Sequence, residues 1–126
     1  MYSSERLKRA YNFIKDNEEK IEKVKKEFVS LSKRLPSLLL SNGMMLTILY
    51  LEKRKKDEGS AESLILDYLR NSLKSADLLE GDSENLLDYI FGKEPEYVSL
   101  MLDESLLAAE ALKLLVEARY GEVKGA

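Results

Sequence analysis

Apolar side chains recur every three or four residues through the first quarter of the chain, on one face of a helix. Their phase does not slip across residues 16–19, so the pattern predicts one long helix over residues 4–34. Ser3 or Ser4 can cap its start. A helix of this length would span about 46 Å. We therefore expect part of it to project towards a neighbour.

The second predicted helix, residues 36–53, is apolar all round its axis. Pro36 is a favoured first helical residue. A helix that is apolar on every side is central, so we expect the other helices to cover it. Gly43 would weaken this helix by about 1 kcal/mol, and we assign it to the close approach of another helix. Asn42 needs hydrogen-bond partners if it is buried.

Three more helices are predicted at residues 60–76, 84–91 and 95–120. Residues 81–83 form a turn with a cap, Gly92 and Gly121 stop the last two helices, and the residues after Gly121 are expected to fray. The last helix is predicted to bury Leu100, Leu102, Leu106, Leu107, Ala111, Leu114, Leu115 and Ala118. The fold class is therefore all-α: a compact bundle of about five helices in a single domain of residues 1–126, with a long N-terminal helix and a buried central second helix.

Composition excludes several kinds of chemistry. The 126 residues contain no cysteine and no histidine, which removes disulfides, thiolate nucleophiles, imidazole bases and the usual zinc ligands. The absence of cysteine fits a reducing cytoplasm. Abundant Lys and Glu without Gln are also typical of thermophiles. The first residues lead into no apolar signal segment, and the apolar second helix is too short and too polar for a good membrane span.

Charge is distributed unevenly along the chain. Residues 1–56 contain 14 Lys and Arg against 7 Asp and Glu, a balance of +7, and residues 57–126 contain 6 against 16, a balance of −10. One interpretation is a half that binds a polyanion and an acidic half that docks onto a basic neighbour. The other is neutralisation between packed helices.

Four lysines of the first helix, Lys8, Lys15, Lys26 and Lys33, fall almost on one line opposite its apolar stripe. Such a line can follow a phosphate backbone without reading its sequence. A second basic cluster occupies residues 53–56. The residues assigned to phosphate contact are Lys8, Lys15, Lys26, Lys33, Arg34, Lys53 and Arg54. The alternative is a solvated face with ordinary pairs such as Glu19 with Lys23.

Catalysis would have to depend on carboxylate, Lys, Tyr or Ser side chains. No phosphate-binding loop, zinc spacing or hydrolase motif is present. No catalytic residue, cofactor or metal site is therefore predicted. A carboxylate metalloenzyme stays open as a third hypothesis, behind an RNA-binding protein and a helical adaptor that meets only proteins.

Residues 33–43 read Lys-Arg-Leu-Pro-Ser-Leu-Leu-Leu-Ser-Asn-Gly, and residues 47–51 read Thr-Ile-Leu-Tyr-Leu. This segment resembles the small-subunit family of the type III-B CRISPR RNA-silencing complex, the Cmr complex. That family shows a basic pair, Leu-Pro, an apolar run and Asn-Gly, and then Thr and a second apolar run. The motif falls here on Leu35, Pro36, Asn42, Gly43 and Thr47.

The resemblance implies a small helical bundle without nuclease activity. In that family, copies stack head to tail as a minor filament beside the subunits that hold the guide RNA, and target RNA passes between the two. The implied partners are guide and target RNA, other Cmr subunits and further copies of this chain, in the cytoplasm. A membrane and a small-molecule substrate are not implied.

Overall fold

Helices account for all the regular structure in residues 4–81 and 85–121, which are the residues that this computed structural model describes. The six helices are α1 (Ser4–Asp16), α2 (Glu18–Lys23), α3 (Lys25–Arg54), α4 (Ala61–Ser75), α5 (Leu86–Phe91) and α6 (Pro95–Tyr120). The prediction of an all-α bundle is confirmed.

The predicted long N-terminal helix is wrong, because it is interrupted at two residues. Asn17 (φ −116°, ψ 20°) and Val24 (φ −131°, ψ 31°) leave the helical conformation. The Asn17 side-chain amide donates a hydrogen bond to the Phe13 carbonyl at 2.8 Å and so satisfies an acceptor at the end of α1. Ile21 between the two breaks is fully buried. The hydrophobic phase therefore continues although the helix does not.

The two breaks reverse the direction of the chain along α6. Arg6 pairs with Glu104 and Glu18 pairs with Arg119, so α1 runs parallel to α6. The Lys25 ammonium lies 5.7 Å from the centre of the Tyr120 ring, at the C-terminal end of α6. Residues 42–46 of α3 meet residues 93–102 at the other end. The first part of α3 is therefore antiparallel to α6, and no 46 Å rod forms.

Helix α3 itself is folded at Gly43, whose backbone (φ 77°, ψ −177°) is not helical. This conformation is almost restricted to glycine. The Thr47 hydroxyl donates a hydrogen bond to the Leu38 carbonyl at 3.1 Å. Nine residues of straight helix would separate these groups by about 13 Å. The chain therefore turns back at Gly43, and α3 consists of an N-terminal arm (residues 25–42) and a C-terminal arm (residues 44–54).

This turn corrects three predictions about the second helix. Pro36 lies inside the N-terminal arm and does not begin a helix. A Cβ atom added at Gly43 would meet no atom within 4 Å, so the glycine is needed for its backbone angles and not for the close approach of a helix. Asn42 is exposed and needs no buried partner.

The second helix is also not covered on every side. Leu35, Leu39, Ile48 and Leu51 are fully buried. An apolar patch remains on the outside, and Leu40 (75% exposed), Leu46 (59%), Leu49 and Met45 form it. We call these four residues the α3 patch. By length and composition alone α3 could cross a membrane, but the turn at Gly43 divides it into two shorter arms.

The later helices lie close to their predicted positions. Ser60 caps α4 by accepting a hydrogen bond from the Ser63 amide, and Asn85 caps α5 in the same way through Asp88. Helix α6 has the predicted bounds and ends at Gly121 (φ 63°). The predicted cap at residues 82–83, the start of the fourth helix at 84, the cap at Ser3 and the fraying after Gly121 lie outside the described residues.

The buried face of α6 differs from the predicted one. Its fully buried residues include Met101, Ser105, Ala108, Leu112 and Val116, and of the predicted set only Ala111 is as deeply buried. Leu100, Leu114 and Ala118 are exposed, and Leu102, Leu106, Leu107 and Leu115 are half-buried. The small residues on the buried face let α3 and α4 approach α6 closely.

One carboxylate ties α1 to α6. Glu104 is only 8% exposed and accepts two hydrogen bonds from the Arg6 guanidinium, at 2.8 and 2.7 Å. Arg9 lies 3.9 Å away on the same carboxylate. The hydrogen bond with Glu104 raises the pKa of Arg6. Nearby, the buried Tyr68 hydroxyl donates to the Ala108 carbonyl at 2.6 Å, which fastens α4 to the same stretch of α6.

We predict that Gly43→Ala and Gly43→Leu each lower the free energy of unfolding by about 1–3 kcal/mol, and by similar amounts. The reason is backbone strain, which depends on the presence of a Cβ atom and not on side-chain size. Thermal and urea unfolding measure the change. Gly59→Ala is the control, since its Cβ would lie at an ordinary 3.5 Å from Asp57. A much larger loss for leucine than for alanine would contradict the strain argument.

Glu104→Ala is expected to cost about 2 kcal/mol, because it leaves two arginines at a largely buried position without their acceptor. Glu18→Ala is the matched control. Its partner Arg119 is 41% exposed in its side chain, and an exposed ion pair contributes little to stability because solvent screens it. Urea unfolding of both variants makes the comparison. Equal losses would show that the Glu104 contact is no stronger than a surface ion pair.

Candidate nucleic-acid interface

The seven cations assigned to phosphate contact lie on three separate segments. Lys8 and Lys15 are on α1, Lys26, Lys33 and Arg34 are on the N-terminal arm of α3, and Lys53 and Arg54 end its C-terminal arm. The prediction that four lysines form one line along a single helix is wrong, because the breaks at Asn17 and Val24 separate the first two from the others. The structure therefore offers two short pairs, each spaced by seven residues, in place of one row.

These cations are available at the surface. Six of the seven are exposed and Lys33 is half-buried. None of them forms an ion pair with a carboxylate among residues 4–81 and 85–121. The alternative pair of Glu19 with Lys23 is likewise not among the ion pairs of these residues. The described carboxylates of the acidic half thus do not pair with the candidate cations.

Other cations of the chain do form ion pairs with carboxylates. Arg6 and Arg9 share Glu104, and Arg119 pairs with Glu18. The contacts of Arg6 and Arg9 join the basic part of the chain to its acidic part, as the hypothesis of internal neutralisation requires, whereas the Arg119 contact does not reduce the imbalance. In the described residues, that hypothesis holds for Arg6 and Arg9 and does not extend to the seven candidate cations.

Cations from two segments of the basic half meet at one cleft. Lys23, at the end of α2, and Arg54 and Lys56, after the turn at Gly43, line a cleft of about 630 Å³ beside the start of α4. Its acidic lining consists of Glu27, Asp57 and Glu62. Asp57 is engaged in its own loop, where its carboxylate accepts a hydrogen bond from the Gly59 amide at 2.8 Å. The equal numbers of cations and anions make this cleft a boundary of the basic surface and not its centre.

Tyrosine rings accompany some of the candidate cations, which the sequence analysis missed. The Arg54 guanidinium lies 5.2 Å from the centre of the Tyr50 ring, and Lys15 lies 5.8 Å from that of Tyr11. Both tyrosines stand four residues before their cation in a helix, a spacing that brings side chains together. This spacing is the signal that could have revealed them. Cation–π contacts of this kind orient a cation without neutralising it.

A second aromatic group lies at the start of α6. The Tyr89 and Tyr97 hydroxyls are 3.1 Å apart, and Lys93 lies 4.7 and 5.0 Å from the two ring centres. The hydrogen bond with Tyr89 raises the pKa of Tyr97 to about 12. The Tyr97 hydroxyl therefore stays protonated at neutral pH, and its hydrogen bond with Tyr89 fastens α5 to α6.

The family motif marks the turn in α3. Leu35 and Pro36 are buried on the N-terminal arm, Gly43 supplies the turn, and buried Thr47 closes it through the Leu38 carbonyl. Exposed Asn42 and Gly43 also border an apolar cleft of about 400 Å³ between the turn and the start of α6. The motif residues thus have a structural role in positioning Lys53 and Arg54.

No group of three or more acidic side chains in the described part of the chain is placed to hold a metal ion. The carboxylates that could have served as metal ligands are dispersed, or are bound to arginine as Glu104 is.

The fold and the surface define a small all-helical protein whose candidate cations form no ion pairs with the described carboxylates. The chain belongs to the Cas_Cmr5 family of CRISPR-associated proteins, because the model of that family matches residues 2–119. The resemblance to the small subunit of the type III-B Cmr complex is thereby confirmed. Family membership implies association with other Cmr subunits and is compatible with a protein that is not an enzyme. No curated protein and no solved structure matches the chain.

Proposed function

We propose that this chain is a non-catalytic scaffold subunit that binds guide and target RNA within the Cmr complex, in antiviral defence in the cytoplasm. The observation that carries the proposal is the contrast between its cations. Arg6, Arg9 and Arg119 are held by carboxylates, whereas the seven candidate cations remain outside ion pairs in the described residues. A surface that keeps its cations unpaired attracts a polyanion.

The arrangement of these cations favours binding without sequence readout. These lysines and arginines belong to three segments and are mostly exposed, and no exposed aromatic row for stacking bases lies among residues 4–81 and 85–121. Contacts of this kind hold phosphates in register and carry no base information. Such binding suits a scaffold along which RNA of any sequence passes, and cleavage then belongs to other subunits.

We further propose that copies of the chain stack on one another, as the family resemblance implies. The α3 patch supports a protein neighbour, because Leu40 and Leu46 are more than half exposed in the isolated chain. Clusters of large apolar side chains at a protein surface mark interaction sites. This patch equally supports the second candidate function, a helical adaptor that docks proteins and never meets RNA.

Reversal of Lys26 and Lys33 to Glu is expected to weaken RNA retention by the assembled complex. The slope of log affinity against log salt should become shallower by about 1 to 2, as expected when two phosphate contacts are lost. RNA binding across a salt series measures both quantities. The control is the same double reversal at two lysines of the acidic half. Lys93 lies just before α6 and Lys113 lies on it. Equal effects of the two double reversals, or none, would count against the assigned surface.

Digestion with RNase separates the two candidate functions. An RNA-binding subunit should crosslink to RNA in the intact complex, with adducts on the peptides that carry Lys26, Lys33 or Arg54. An adaptor should give no adducts on this chain and should remain assembled after complete digestion. Mass spectrometry of the ultraviolet-crosslinked complex reads the first result, and size-exclusion chromatography reads the second.

A further inference from the structure

Three leucines form a row along the outer side of α6. Leu100, Leu107 and Leu114 are spaced by seven residues, so they lie on one face of the helix. Leu100 is 55% exposed and Leu114 is 43% exposed, and Leu107 is half-buried. We call these residues the leucine row. Helix α6 buries its opposite side, so this row is not part of the core.

An acidic row runs beside the leucine row. It consists of four acids that are also spaced by seven residues: Glu96, Asp103, Glu110 and Glu117. Round the helix axis, this row is rotated by about 40–60° from the leucine row. Glu96, Asp103 and Glu117 are exposed, and none of the three forms an ion pair within residues 4–81 and 85–121. From Glu96 to Glu117 the row extends about 31 Å. All its charges have one sign.

We propose that this face of α6 binds a basic amphipathic helix from a different subunit of the complex. A partner that follows a seven-residue repeat is a helix, because only a helix presents an apolar row at the same spacing. Its apolar residues would cover the leucine row, and Lys or Arg on each of its turns would meet the acidic row. Charge at the edge of such a seam selects the partner and its orientation.

The charge of the acidic row argues against two other occupants of this face, RNA and a second copy of the chain. RNA is repelled by four carboxylates. A second copy that paired antiparallel through the same face would set its acidic row against this one. A parallel pair would need the flank beside Glu104, which α1 occupies through Arg6. The α3 patch of another copy carries Lys53 and Arg54 at one end only, so it could neutralise only one end of the acidic row.

The proposal requires membership of a multi-subunit complex and does not depend on RNA binding. The complex is co-expressed with a tag on a different subunit, digested with RNase, and captured over a salt series. We expect Glu96→Lys/Asp103→Lys/Glu117→Lys to retain this chain about tenfold more weakly and with less dependence on salt. Leu100→Ser/Leu114→Ser should also weaken retention, with its salt dependence kept.

Matched controls change the same residue types elsewhere. Glu19→Lys/Glu22→Lys/Glu58→Lys reverses three exposed acids outside α6, and Phe91→Ser removes an exposed apolar side chain outside the leucine row and the α3 patch. Both controls should be retained like the unaltered chain, and circular dichroism should show that every variant is folded. Retention of the α6 variants at the control level overturns the proposal.

A crosslink tests the contact directly. The chain has no cysteine, so Asp103→Cys gives a unique site for a benzophenone label at the centre of the acidic row. In the RNase-treated complex, the label should attach to a different subunit, within a segment rich in Lys and Arg that has a seven-residue apolar repeat. Attachment only to a second copy of this chain, or no attachment, overturns the proposal. If the crosslink to a different subunit is absent but RNA is retained normally, only the α6 proposal is overturned. If the crosslink forms but RNA is not retained, only the RNA-binding proposal is overturned.

Discussion

The conformation of Gly43 is the constraint on which the arrangement of this protein depends. With φ 77° and ψ −177°, it allows thirty residues of apolar helix to fold into two arms. A straight helix of that length would extend about 45 Å and leave most of its apolar surface in water. The Thr47 hydroxyl then joins the arms through the Leu38 carbonyl. The turn also decides charge placement, since it returns Arg54 to the cleft that Lys23 lines.

A division among the cations follows from side-chain chemistry. The guanidinium of Arg6 makes two parallel hydrogen bonds to Glu104 at a largely buried position, a geometry that a lysine cannot supply. Lysine is strongly hydrated and favours the surface, where Lys8, Lys15 and Lys26 remain. The interpretation as internal neutralisation therefore holds for part of the charge, and the polyanion interpretation stays a prediction. Arg6 and Arg9 connect the basic part of the chain to its acidic part, while the seven candidate cations, two arginines among them, form no ion pairs in the described residues.

Some elements could be predicted from the sequence because they carry local signals. Pro95 and Gly121 bracket α6, and Ser60 caps α4, so these bounds depend on one or two residues each. The breaks at Asn17 and Val24 carry no such signal, because single-residue interruptions keep the hydrophobic phase. The prediction of the buried face of α6 was wrong, and the reason is different. Outside the acidic row this helix is apolar at nearly every angle, so periodicity alone cannot decide which leucines face the core. The cations could be listed from the sequence, but their separation onto three segments depended on the missed breaks.

The same ambiguity explains why α6 can serve two purposes. A helix whose only apolar residues faced the core would present a purely polar surface outside, and it would have no means of selecting a protein partner. Here the buried side, with Ala108, Leu112 and Val116, holds α6 against α3 and α4. The outer side still has Leu100 and Leu114 beside carboxylates. Because the core does not need these leucines, their replacement would separate the proposed assembly from folding, just as replacement of the unpaired lysines would separate the proposed RNA binding from folding. A scaffold that must hold RNA and protein at once is expected to keep these functions on different residues.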